Sequence, residues 1–347
     1  MPVIWLIDAY RAGERNQVRA LVDELGWPCE TKRLEYRKHV VLPHVLGLAT
    51  LRGITPASAA ALKPPWPDLV ISSGVRNEPV CRWIRAASGG HTRYVHVGRP
   101  WGPLAGFDLV ITTPQYRVPR RPNVLNNLLT LHSVTPRRLE AAREQWAASF
   151  ADLPRPRIAV ITGGNSGPFT FGPRAATRLA RQASILARQS GGSLLVSTSS
   201  RTSEAAIQAL QASIDVPHFF YRWQPDDPRN PYFGILAVAD RLVVTGDSIA
   251  MLSEACATGR PVQIFDVGGM RGDTESIADF RVGGMLYGLL MRWLWEPLSR
   301  DITLVHRQLR ATSRAFWLDE EFGASVVPGE SDMQRAVAAV RGLLGEG

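Results

Sequence analysis

The chain has 347 residues, 45% of them apolar and 20% charged. That is enough to bury two ordinary cores, and it excludes disorder, collagen and coiled coil as the main class. Forty Lys and Arg against 31 Asp and Glu leave a net charge of +9 and a pI near 10.0, an excess that favours anionic partners without choosing among phosphates, nucleotides, nucleic acid and lipid headgroups.

From the amino end, Met1 to Trp5 carries no basic start and no cleavage site, so a secretory signal is not expected. Val3 to Ile7 is a short apolar run ending at Asp8, and the spacing of Val18, Leu21, Val22 and Leu25 predicts a helix over Asn16 to Leu25, closed by Gly26. Leu69 to Ser72 repeats the form, followed by Ser73-Gly74 and a helix around Pro79 to Ala87. Tyr94 to Val97 and Leu109 to Thr112 read as two more buried strands. Short, uniformly apolar strands alternating with helices indicate a parallel sheet covered on both faces.

Glu140 to Phe150 reads as a helix and Asp152 to Pro156 as a linker, after which the pattern restarts. Strands are expected at Arg157 to Thr162, Ser193 to Ser197, His218 to Tyr221, Arg241 to Val244 and Pro261 to Phe265. Helices are expected at Ala175 to Gln189, Glu204 to Ile214, Tyr232 to Ala239 and from Ser248 to Thr258, with Gly259 just past that last end. The tail carries helices near Gly288 to Trp295, Ile302 to Ala311 and Asp332 to Leu344. The stretch from Phe280 to Trp295, with Trp293 and Trp295, suits a helix packed between domains or one resting on a bilayer. The longest apolar run, Val282 to Trp295, is interrupted by Arg292, so a spanning segment is not expected. The fold class expected is α/β, with two Rossmann-like doubly wound parallel-sheet domains facing an interdomain cleft. Residues 1–150 form an acceptor domain and 151–300 a nucleotide-sugar domain, and helices in 301–347 pack back toward the first. Ligands would sit at the carboxyl ends of the strands.

The strand-end loops carry the candidate chemistry. Thr245-Gly246-Asp247-Ser248 feeds a strand into a helix whose first amides favour an anion such as a pyrophosphate, with Asp247 as the natural N-cap. Met251, Ser253 and Glu254 follow, and Asp247, Met251 and Glu254 share one helix face, where a carboxylate could take both hydroxyls of a ribose. The same spacing suits an ordinary capped helix with a solvated Glu. Gly163-Gly164-Asn165-Ser166-Gly167 reads as a phosphate-cradling or merely tight turn; it is not GxGxxG and has no P-loop Lys. Ser199 and Arg201 end the next strand, where a guanidinium could pair with phosphate. Trp223 could border a nucleobase. In the first half, Arg11, Gly13, Asn16 and Gln17 crowd one loop, and Ser73, Gly74 and Arg99 occupy two others. Asp8, Glu14 and His96 are the candidate bases. Three cysteines (Cys29, Cys81, Cys256) without CxxC spacing exclude a disulfide scaffold and a thiolate zinc site and fit a reducing cytoplasm. No HxxxH, HExxH or GxSxG spacing occurs, and no RNP, KH or helix-turn-helix pattern, so neither a metal nor nucleic acid is an expected partner.

The run Val244-Thr245-Gly246-Asp247-Ser248-Ile249-Ala250-Met251-Leu252-Ser253-Glu254-Ala255, followed by Thr258-Gly259-Arg260-Pro261-Val262, resembles the signature of the mitochondrial fission ELM-type family. Gly13-Glu14-Arg15-Asn16-Gln17 resembles its first-loop Gly-x-x-x-Gln. Ile161 to Gly164, Ser197 to Arg201 and Tyr94 to Pro100 resemble it as well. The resemblance implies a GT-B-type glycosyltransferase, similar to the enzyme that adds N-acetylglucosamine to lipid I, in which a helix Glu takes the ribose. Here that role falls to Glu254. That relative's first-loop His base has Glu14 as its nearest counterpart. The plant member of the family acts in fission by recruiting a partner.

The expected function is therefore metal-independent sugar transfer from a nucleotide-sugar to a saccharide or lipid-linked acceptor of the cell envelope. No cofactor is needed beyond the nucleotide-sugar substrate. The expected location is the cytoplasm, with peripheral contact to the anionic inner face of the membrane. The alternatives are a non-catalytic adaptor of the same fold that recruits a protein or membrane partner, and a UDP-sugar epimerase.

Overall fold

A computed structural model describes residues 1–37, 46–271, 279–293, 300–320 and 329–345. Trp295 lies outside these residues, as does the side chain of Trp293. The elements begin with β1 (Ile4–Ile7), α1 (Ala12–Leu25), β2 (Cys29–Lys32), α2 (Pro56–Ala60), β3 (Leu69–Ser73), α3 (Glu78–Ala87), β4 (Arg93–Val97), β5 (Leu109–Thr112) and β6 (Val124–Asn126). They continue with α4 (Pro136–Trp146), β7 (Arg157–Ile161), α5 (Pro173–Gln189), β8 (Ser193–Ser197), α6 (Glu204–Ala212), β9 (His218–Tyr221), α7 (Tyr232–Val238), β10 (Arg241–Thr245), α8 (Ile249–Ala257) and β11 (Val262–Phe265). The last are α9 (Val282–Trp293), α10 (Thr303–Ala311), β12 (Phe316–Trp317) and α11 (Asp332–Leu343).

Two compact units result, Met1–Ser133 with Gly329–Gly347, and Val134–Pro328. Each is a six-stranded sheet whose pairings are all parallel, so both are Rossmann-like α/β units. The first has the order β2-β1-β3-β4-β5-β6. The second has the order β12-β11-β10-β7-β8-β9.

In the first unit successive strand residues go to opposite faces. Ile4, Leu6, Leu69, Ile71, Val95 and Val97 join α1 and α11 in one core. Trp5, Ile7, Val70, Tyr94 and Val110 join Val80, Cys81 and Ile84 of α3 in the other. Both faces are thus covered, which is why these strands read as unbroken apolar runs. Three strands escaped the sequence pattern, and all three are edge strands. β2 is mostly exposed and polar, β6 has three residues and β12 only two.

The boundary expected after residue 150 is corrected: it falls at Ser133–Val134. Helix α4, which lies wholly ahead of the linker, belongs to the second unit. Its Trp146 fills the space over Gly234 of α7, where a Cβ would stand 2.4 Å from the indole, and Arg143 Nη2 donates to Ala237 O at 3.1 Å. The tail is corrected too. α10 and β12 stay with the second unit, β12 pairing with β11, and within the described tail only the segment from Gly329 joins the first unit. There the Asp332 carboxylate accepts from Leu128 N at 3.1 Å and Leu129 N at 3.0 Å, while Ala336 and Val340 enter the core.

Candidate functional site

In an open parallel sheet the ligand crevice lies at the carboxyl ends of the strands where the strand order reverses. In the second unit that point is between β7 and β10, which are hydrogen-bonded neighbours. The loops that leave them are Gly163-Gly164 and Gly246-Asp247, both singled out from sequence.

Asp247 organises this end of the sheet from within. It is 0% exposed. Its carboxylate accepts from Gly164 N at 2.9 Å and from Arg201 Nη1 at 2.9 Å, while Oδ1 is buried without a hydrogen bond. Burial pushes its pKa up, against the opposing pull of the Arg201 guanidinium. The expected N-cap role is corrected: the cap position belongs to Ser248, and no side chain caps the helix. The phosphate-cradle reading of the glycines is corrected as well. A Cβ at Gly163 would stand 2.3 Å from an Asp247 oxygen, and one at Gly164 would stand 2.0 Å from the Arg201 carbonyl oxygen, so glycine is needed here for internal packing.

Several other expected donor contacts also turn inward. Thr245 Oγ1 accepts from Gly163 N at 2.8 Å, and Ser199 Oγ donates to Gly163 O at 2.7 Å. Ser253 Oγ donates to Ile249 O at 2.7 Å within its own helix. Gly246 packs against Met270 and His306, and its carbonyl accepts from His306 Nε2 at 2.8 Å. Asn165 is half-buried; its Oδ1 accepts from Phe171 N at 3.0 Å.

What this end of the sheet leaves unpaired or partly exposed is smaller and better defined. The first intrahelical bond of α8 is Leu252 N to Ser248 O at 3.0 Å, and the amides of Ile249, Ala250 and Met251 ahead of it have no partner among the described residues. No acidic residue stands in that first turn, so the positive end of the helix is uncompensated by its own sequence. Arg201 is bonded to the adjoining Asp247 through Nη1 and its side chain remains 40% exposed. Trp223 is 37% exposed, its backbone N–H held by Thr198 Oγ1 at 2.9 Å. Met251 and Glu254 are half-buried. Glu254 Oε2 accepts from the Tyr232 hydroxyl at 2.5 Å. Burial raises the Glu254 pKa, partly offset by that hydrogen bond and by Arg138.

The amino end of α5, the other long helix leaving this crevice, is already filled. The Asp279 carboxylate accepts from Gly172 N, Arg174 N and Ala175 N at 3.0, 3.1 and 2.9 Å. Arg281 Nη2 beside it donates to Gly167 O at 2.7 Å, and the Tyr287 ring lies against Gly167. Asp279 and Tyr232 were missed in the sequence. Asp279 lies more than 100 residues from the amides it caps and Tyr232 lies 22 residues from Glu254, so no local spacing signals either.

In the first unit the order reverses between β1 and β3. Glu14 of α1 lies over Gly74 after β3, where a Cβ would stand 2.9 Å from Glu14 Oε2, and Arg11 Nη1 is 3.9 Å from Glu14 Oε1. Gly13 and Asn16 are exposed beside them, and Gln17 Nε2 donates to Gly13 O at 3.1 Å. Arg99 stacks 5.3 Å from the Trp101 ring, and Ser73 is buried. Two candidate bases are corrected. Asp8 is held by Arg15 at 3.0 Å and Arg19 at 3.6 Å. His96 is 0% exposed, with Nδ1 3.1 Å from the Tyr94 hydroxyl and Nε2 3.1 Å from Arg99 O. Burial pushes its pKa down to about 4, and with both ring nitrogens occupied inside the core it is out of reach of a substrate. Glu14 is the candidate that remains. Among the described residues no group of His, Cys, Asp and Glu could hold a metal ion, and no described helix is long and apolar enough to cross a membrane.

Residues 12–281 match the family model described as mitochondrial fission ELM1, and the chain belongs to that family. It is 28% identical over 239 residues to the mitochondrial fission protein ELM1 of Arabidopsis thaliana, a match covering 62% of this chain and 55% of the plant protein. An uncharacterized protein of Rickettsia prowazekii (strain Madrid E) is 25% identical over 76% of this chain and 82% of its own. Among solved structures, the Escherichia coli ADP-heptose lipopolysaccharide heptosyltransferase II is similar at 12% identity and a TM-score of 0.46, over 100% of this chain and 99% of that one.

Proposed function

We propose that the chain is a metal-independent glycosyltransferase of GT-B type. It moves a sugar from a nucleotide-sugar to a saccharide or lipid-linked acceptor of the cell envelope. The observation that carries this reading is the contrast between two helix ends at one crevice: Asp279 fills the amino end of α5, whereas the amides of α8 stand uncapped beside the Arg201 guanidinium.

Those amides and Arg201 would hold the diphosphate and stabilise the charge that develops as the glycosidic bond breaks, the part a divalent cation plays in other folds. Tyr232 fixes one oxygen of Glu254, about one and a half turns into α8, leaving the carboxylate to accept from ribose hydroxyls. Glu14 would take the acceptor's proton. Calorimetric titration with UDP-, GDP-, ADP- and CMP-sugars tests this. One of them is expected to bind, with Arg201→Ala and Glu254→Ala each weakening it about tenfold or more. Binding to none, with Glu254→Ala behaving as wild type, contradicts it.

A second reading, an adaptor that recruits a protein or membrane partner, is favoured by the family's description and by four exposed apolar side chains, Phe280, Val282, Met285 and Leu286, at the start of α9. Capture of a partner independent of any nucleotide supports it.

A further inference from the structure

The opposite end of the second unit's sheet, where the strands begin, holds a recess of about 290 Å³. Four of its described lining residues are arginines (Arg143, Arg155, Arg157 and Arg260), and the others are alanine and valine. Sequence places them far apart, and the fold brings them together. Arg157 opens β7 and Arg155 precedes it by two residues, Arg260 sits two residues ahead of β11, and Arg143 lies in the last turn of α4.

Neutral groups hold two of these side chains in place. Arg157 donates from Nε to Leu153 O at 3.2 Å and from Nη2 to Ala151 O at 3.3 Å, and Arg143 donates to Ala237 O at 3.1 Å. Carbonyl oxygens fix a guanidinium without neutralising it. The nearby carboxylates are few. Asp240 pairs with Arg155 and also accepts the backbone N–H of Arg157 at 2.8 Å. Glu140 is 3.9 Å from Arg143 and 61% exposed, where solvent screens it. The Arg260 guanidinium makes no hydrogen bond or ion pair among the described residues. Four cations therefore face two carboxylates, and the excess lies inside a concave site, where field strength is concentrated. Burial lowers the Arg157 pKa, the neighbouring Arg155 charge lowers it further, and Asp240 opposes both.

We propose that this recess binds a phosphate group through Arg155, Arg157 and Arg260, at a site separate from the donor crevice at the far end of the same sheet. Planar guanidinium forks match the several oxygens of a phosphate, which accepts from more than one arginine at once. The volume lies at the lower limit of small-molecule sites, which suits a compact anion. The group can arrive on a soluble phosphorylated compound or as a membrane-lipid headgroup.

Calorimetry with inorganic pyrophosphate at low ionic strength tests the site, using the whole chain. The variants Arg155→Ala and Arg260→Ala change side chains that are not buried in the core, and Arg201→Ala reports the donor crevice separately. Wild type is expected to bind, and the Arg155→Ala/Arg260→Ala double variant to lose that event by about a hundredfold, whereas Arg201→Ala retains it. A second event abolished only by Arg201→Ala belongs to the donor crevice, so either reading can fail while the other stands. Sedimentation with phosphatidylcholine vesicles containing phosphatidic acid separates the sources. Arginine-dependent pelleting that pyrophosphate reverses identifies a headgroup, and pyrophosphate binding without pelleting identifies a soluble compound. Absence of pyrophosphate binding in wild type, or equal binding by the double variant, overturns the proposal.

Discussion

His306 holds the loop that feeds α8. Its Nε2 donates to Gly246 O at 2.8 Å, so the proton is on that nitrogen, and the buried Nδ1 has no partner. A second proton would be buried without an acceptor, which is why burial pushes the pKa down to about 4 from 6.5. The unfolded chain takes that proton near pH 6.5 and the folded chain does not, so stability falls as pH drops from 6.5 toward 4, by up to about 3 kcal/mol. Glu78 runs the other way. Buried under the backbone N–H groups of Trp101 and Gly102, it is pushed up to about 7 from 4.5, and it binds its proton first in the folded state. Its protonation favours the fold as pH falls from about 7 toward 4.5. In urea melts, the wild-type advantage over His306→Gln is expected to shrink between pH 7 and pH 4, and the advantage over Glu78→Gln to grow. Differences that stay constant with pH contradict these assignments. At this scale the sequence located the loops but not the partners. Gly163 and Gly164 stood out as glycines, yet the reason for them, the Asp247 carboxylate and the Arg201 backbone, lies 84 and 37 residues further along.

The amino ends of α5 and α8 show the same physics resolved in two ways. A helix start leaves its first amides unpaired. At α5 the Asp279 carboxylate takes three N–H groups and at α8 none is capped. Asp279→Ala should lower stability by about 1–2 kcal/mol, the usual cost of losing a cap, and free the 279–288 segment from the Gly167 loop. Urea melts and limited proteolysis measure the two effects, and an unchanged midpoint with unchanged cleavage refutes the capping role. Sequence periodicity found nearly every buried element because a strand or helix buried on one side or both has an apolar pattern. It missed β2, β6 and β12, whose stability comes from backbone pairing to a neighbour rather than from burying their own side chains. It also assigned α4 to the wrong half, since the proline-rich stretch after it resembles a linker while Trp146 and Arg143 bind the helix to α7.

Across the whole molecule the chain is two successive parallel-sheet units of one family, with the return of α11 tying the carboxyl end to the first. The strand-and-helix alternation was legible from end to end, because doubly wound sheets bury both faces. The proposed function depends on which loops stay open at the strand ends, where long-range pairs such as Asp247 with Arg201 and Glu254 with Tyr232 fix the side chains. Hydrogen exchange of the whole chain, with and without UDP, GDP, ADP and CMP, measures whether a nucleotide seats on the amino end of α8. One nucleotide is expected to slow exchange at the amides of Ile249, Ala250 and Met251 while leaving Arg174 and Ala175 unchanged. Exchange at the start of α8 that responds to none of them contradicts a nucleotide site there.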